Sequence, residues 1–182
     1  QENHPRGRSR VGPRNSGRYI HWQSCSGSSR CDRQGRRWRH SSSHWWRKKN
    51  AKNAIAAEKL ALSRYRDTLG IIQASLGDKR TSEHQLDEAG RILFGSKWGG
   101  VFAHDEPHPE SYCIINVGTR RSGGSHWLAH AYGTWYDSFG RKEFGDESGD
   151  AEQRKDETDC GQRCLAWLCH VDVHGVDSAK LI

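Results

Sequence analysis

Three residue types in a particular order open a route to thiol chemistry. His126 begins and Asp137 ends the stretch HWLAHAYGTWYD, and Cys160 follows 23 residues after Asp137 at the head of CGQRCLAWLCHV. A cysteine attacks as its thiolate, an anion that a helix N-terminus favours through unsatisfied backbone N–H groups and the helix dipole. A neighbouring imidazole takes up the thiol proton, and a third group fixes the imidazole's tautomer. An oxyanion also needs donors. Gln153, seven residues before Cys160, is a candidate, with the Cys160 backbone N–H as a second. On the residues alone two readings stay open: a thiol hydrolase, or a cysteine that merely opens an apolar core helix.

The elements that must position these residues are legible in outline. Apolar and small or polar residues alternate on either side of Gly133, so residues 126–137 read as a β-hairpin with His126 and Asp137 meeting on paired strands. Upstream, Tyr112–Val117 is a near-continuous apolar run and reads as a strand buried on both faces. GSKWGGVFAHDEPHPES, punctuated by Gly and Pro, reads as a loop. Ser82 with Gln85 three residues later is a capping-box signature for a helix over about 83–92. Residues 54–80 read as a helical connector with an imperfect apolar face (Ile55, Leu60, Leu62, Leu69, Ile71, Ile72, Leu76) that ends near Gly77. The order helix, strand, strand, strand, loop, helix predicts an α+β fold with a mainly antiparallel sheet and the cysteine at a helix N-terminus.

Charge divides the chain. Residues 1–53 carry 14 Lys and Arg against two acids, a net of +12, while the other 129 residues carry 15 basic and 20 acidic residues, a net of −5. The first part has little to bury and is expected to be a disordered basic arm. Trp22, Trp38, Trp45 and Trp46 lie among its charges, a mixture suited to phosphate contacts and base stacking. Arg33, Arg36, Arg37, Arg39, Arg47, Lys48 and Lys49 are its candidate nucleic-acid contacts. Cys25, Cys31, His40 and His44 have a zinc-finger flavour, but the cysteine gap is wide and the intervening apolar residues are missing, so no metal is expected there. No apolar run approaches membrane-spanning length and no signal-peptide pattern is present. The start at Gln1 and the lack of Met point to a fragment or a processed piece. Six irregularly spaced cysteines fit a reducing compartment better than a disulfide framework. Of these, Cys113, Cys164 and Cys169 read as small buried hydrophobes, and His130 as a rival but weaker candidate base than His126.

The segments YCIINVGTRRSGGSHWLAHAYG, YDSFG, Gln153 and CGQRC together resemble the adenovirus-type cysteine endopeptidase family, which shares its fold with the ubiquitin-like-protein proteases. The correspondence runs through Asn116, Gly123-Gly124, His126-Trp127, Asp137 before Ser138-Phe139-Gly140, Gln153 and Cys160-Gly161, and covers about residues 81–172. It implies a protease domain over 81–182, with Cys160 as nucleophile, His126 as base, Asp137 as its orienter and Gln153 in the oxyanion hole. It also implies viral precursor proteins as substrates, cleaved at small-residue sites often ending in Gly, and DNA and an activating peptide as cofactors, in the virion or the host nucleus or cytoplasm. Only 16 residues separate Asp137 from Gln153, which leaves no room for the helices the adenoviral enzyme carries there, so its specificity is not implied. Two rivals stand beside this reading: a deconjugating protease for ubiquitin-like modifiers, and a non-enzymatic basic packaging protein for nucleic acid.

Overall fold

The structure, a computed structural model, describes residues 41–145 and 151–182. Arg33, Arg36, Arg37 and Arg39 lie outside the described residues, as do Cys25, Cys31 and His40.

Helix α1 spans Ser41–Leu76 and α2 spans Glu83–Phe94. Strands β1 (Trp98–Ala103), β2 (Tyr112–Asn116), β3 (Trp127–Ala131) and β4 (Thr134–Tyr136) follow, then α3 (Cys160–His174) and the short α4 (Val176–Ala179). The strands form one sheet in the order β1-β2-β3-β4. β2–β3 and β3–β4 are antiparallel and β1–β2 is parallel, so the fold is α+β with a mixed sheet. Among the described residues, no helix is long and apolar enough to cross a membrane.

Two expectations need correction. The stretch expected to be a loop contains β1. It carries adjacent glycines at 99 and 100 and no alternating pattern, and it is a strand because β2 offers it a free edge. Helix α1 begins at Ser41 instead of residue 54, so the last residues assigned to the disordered arm are helical. From Lys48 through Leu60 the helix stays solvent-exposed and is rich in Ala, Lys, Glu and Leu, good helix formers, so it needs no packed face there. The second half is more than a connector. Ala61, Tyr65, Leu69 and Ile72, at helical spacing, enter the core, whereas Ile55, Leu60 and Ile71 remain exposed.

The core lies between the sheet and the helices. Tyr112, Ile114, Trp127, Ala129, Ala131 and Tyr136 pack against Cys164, Leu165, Trp167 and Leu168 of α3. Tyr136 stacks on Trp167 with ring centroids 5.4 Å apart, and its hydroxyl shares a 2.8 Å hydrogen bond with that of Tyr65. Ser82 caps α2 in the expected capping box: its hydroxyl accepts from the Gln85 N–H at 3.3 Å while its own N–H donates to Gln85 Oε1 at 2.9 Å. The β3–β4 reversal occurs at Tyr132 and Gly133, both at positive φ (51° and 73°), the sign pattern of a two-residue type I′ turn.

Candidate active site

The hairpin performs the juxtaposition its sequence predicts. Register pairs Ala129 with Tyr136, which leaves His126 just before β3 and Asp137 just after β4 at the same end of the sheet. Both side chains are buried, and His126 Nε2 lies 2.7 Å from Asp137 Oδ1. The carboxylate is held from three sides. Arg141 Nε donates to Oδ2 at 2.6 Å and the Phe139 N–H donates to Oδ1 at 3.0 Å. Burial opposes its charge, but the hydrogen bonds from His126, Arg141 and Phe139 prevail and hold the carboxyl below its ordinary range. Phe139 also stacks on the His126 ring, centroids 4.6 Å apart at 26°, and Arg141 lies over the Phe139 and Phe144 rings.

For His126 the largest influence is burial, which disfavours the imidazolium. It is outweighed by the hydrogen bond with Asp137 and by the influence of the Cys160 side chain, and the pKa is raised above its ordinary value. With Nε2 committed to Asp137, Nδ1 is the nitrogen left for the thiol.

Cys160 is the first residue of α3, and that end of the helix is tied down on several sides. Asp159, the residue before it, accepts from Gln73 Nε2 of α1 at 2.7 Å and from Arg163 Nε at 2.9 Å. Gln162 donates to the carbonyls of Gly77 and Lys79 at 2.8 and 2.6 Å. The chain leaving α1 and the start of α3 are therefore fastened together. Gly161 is needed because α3 begins hard against α2: a Cβ there would collide with the Thr81 hydroxyl and crowd Leu86. Gly161→Ala is expected to cost about 1–3 kcal/mol of stability through overpacking. Urea unfolding measures this, and an unchanged midpoint would refute the close approach. Gly124 answers to a similar constraint, since the Asn116 amide fills the space its Cβ would take.

Gln153 is buried in the loop before α3. Its Oε1 accepts from Ser138 Oγ at 2.6 Å, and its Nε2 donates to the Glu157 carbonyl at 2.8 Å. One amide hydrogen is thus engaged and an amide nitrogen carries two. The other cysteines fit packing roles. Burial pushes Cys164 well above its ordinary value and Cys169 up to about 11, and the Cys164 thiol donates to the Trp127 carbonyl at 3.3 Å. His130, the rival base, lies away from this site, beside Cys113 and Glu110. Of the candidate nucleic-acid contacts, Lys48 and Lys49 are exposed on α1, and Arg47 belongs to the same helix.

Sequence reasoning gave Arg141 no role, and gave Phe139 none beyond its place in the Ser138-Phe139-Gly140 match. The signal was available for Arg141, a cation four residues after the acid. The Phe139 stack depends on the turn that follows β4.

Comparison with known proteins returned no matching protein family, no matching curated protein and no matching solved structure.

Proposed function

We propose that the chain is a cysteine endopeptidase of the adenoviral type, with the protease fold of that family over residues 81–182 and a Cys160–His126–Asp137 triad. The observation that carries this reading is the buried His126–Asp137 pair, 2.7 Å apart, with the Cys160 thiol at a helix N-terminus beside the same imidazole. Sulfur attacks the scissile carbonyl, and the C–S bond forms as the C–N bond breaks. His126 passes the thiol proton to the leaving amine. Water then attacks the thioester, giving up a proton to His126, and the thiol and a carboxylic acid are released. The developing oxyanion is met by the Cys160 N–H and the second Gln153 amide hydrogen. A cleft of about 90 Å³ lined by Asn116, Gly118, Gly123, Gly124 and Trp127, the residue after His126, suits small substrate residues. The substrates are proteins, in this reading viral precursors matured within the virion.

Incubation of the full chain with a peptide library, with Cys160→Ala as the blank, tests the activity. Cleavage after small residues absent from the blank is expected. Cleavage confined to ubiquitin-like C-terminal tails would favour the deconjugating reading, and no cleavage in the presence of DNA would favour the packaging protein.

The basic arm is proposed to hold nucleic acid through phosphate charge. If six phosphates are neutralised, the slope of log affinity against log salt is expected to be roughly −4 to −5. Deleting residues 1–53 should remove most of this binding and spare the domain, because among the described residues α1 first enters the core at Ala61. A salt titration by fluorescence anisotropy on both chains measures it. Salt-independent binding, or equal affinity after deletion, would show that the arm is only a solvated tail. With DNA as cofactor, DNA also speeds peptide cleavage by the full chain more than by the truncated one.

A further inference from the structure

The sheet face turned away from α3 carries a second cluster of chemically capable side chains. Cys113 of β2 and His130 of β3 are paired across the sheet, and both are buried. The Cys113 sulfur is 3.8 Å from His130 Nδ1. His108, half-buried in the connection 104–111, sets its ring edge-on to that of His130 at 5.4 Å and to that of Trp135 at 5.5 Å. One ring nitrogen from each histidine and the cysteine sulfur lie within 4.8 Å of one another. In tetrahedral zinc, Zn–S near 2.3 Å and Zn–N near 2.05 Å place sulfur and nitrogen about 3.6 Å apart. The observed 3.8 Å is close to that.

We propose that Cys113, His130 and His108 form a zinc site, separate from Cys160, that clamps the 104–111 connection onto the outer face of the sheet. Two imidazoles and a thiolate suit a borderline-soft divalent cation, and solvent fills the fourth position. Glu110 completes the pattern. With His130 Nδ1 turned to Cys113, the opposite nitrogen, Nε2, lies 3.7 Å from Glu110 Oε2. A carboxylate behind the free nitrogen of a metal-bound histidine fixes its tautomer and raises its basicity. The Cys113 thiol donates to the Pro109 carbonyl at 3.6 Å, and zinc entry releases its proton to solvent. The clamp meets a topological need. β1 and β2 are parallel neighbours joined by a connection shorter than the dozen or more residues such crossovers usually take, with no helix to hold it to the sheet.

The test uses the full chain carrying Cys25→Ser, Cys31→Ser and Cys160→Ala, which removes competing thiols, titrated with Co²⁺ and back-titrated with Zn²⁺. One equivalent of cobalt should give a sulfur-to-cobalt charge-transfer band that zinc abolishes, and Cys113→Ser should eliminate it. Glu110→Gln, at an exposed side chain, should weaken affinity about tenfold or more while leaving the fold intact. His108→Asn, at a half-buried ring, should weaken it at least as much. No band at stoichiometric cobalt, a band that survives Cys113→Ser, or unchanged affinity in both His108→Asn and Glu110→Gln would overturn the site.

Discussion

Cys160→Ala is expected to abolish peptide cleavage, a fall of at least about 10⁴-fold in kcat/KM, while Cys164→Ala keeps most of it. The contrast follows from where one helical turn places the two sulfurs. Cys160 opens α3 beside the His126 ring. Cys164 is fully buried, its thiol donates to the Trp127 carbonyl, and burial holds it protonated. Removing a nucleophile eliminates the covalent route, and what survives reflects binding and oxyanion stabilisation alone. Cys164→Ala removes one buried sulfur and acts on stability more than on chemistry. Steady-state kinetics with one library-derived peptide separates the two. Equal activity in the wild type and Cys160→Ala would end the reading, and loss only in Cys164→Ala would move the nucleophile a turn along the helix.

Asp137→Asn should retain the fold and lower kcat by about 10³–10⁴-fold, because an amide no longer selects the imidazole tautomer that the thiol needs. The same variant carries a signature in pH. The folded-state pKa of His126 is raised, so its stabilising contribution is present below the unfolded value near 6.5 and is lost as pH rises through the folded value. The folded-state pKa of Asp137 is lowered, so its contribution is present above about 3.9 and is lost as pH falls through the folded value. The stability gap between wild type and Asp137→Asn is therefore widest between about pH 4 and 6.5 and narrows toward pH 9. Denaturant unfolding at pH 5.5 and 9 measures it. A gap that widens at pH 9 would show that the pair does not titrate as an imidazolium–carboxylate couple.

The parts of this site that could be read from sequence are those set by local rules. The alternation around Gly133 specifies a hairpin, and a hairpin forces residues 126 and 137 to the same end. Ser82 and Gln85 announce the start of α2 through a cap that needs no tertiary partner. Cys160 heads an apolar run and starts α3 as expected. What escaped depends on distant partners. β1 exists because β2 accepts it, and its Gly-rich sequence carries no period of its own. Tyr65 and Ala61 join the core only because β4 presents Tyr136, backed by Trp167 of α3, to that face of α1, so the aliphatic residues around them misdirected the apolar stripe. The hold on the start of α3, through Gln73, Asp159 and Gln162, spans more than eighty residues of sequence and leaves no local trace. The outer-face cluster was likewise hidden. His108, Cys113 and His130 lie in a connection and two strands, and only the β2–β3 register brings Cys113 opposite His130.

The central claim is that the Cys160 sulfur forms a bond to the substrate. Acid quenching of the full chain within the first turnover on its library-derived peptide, followed by intact and peptide-mapped mass spectrometry, tests this most directly. The account predicts a thioester that adds the mass of the N-terminal cleavage fragment to Cys160 and does not form in Cys160→Ala. Turnover without any adduct, or an adduct on a different cysteine, would contradict it.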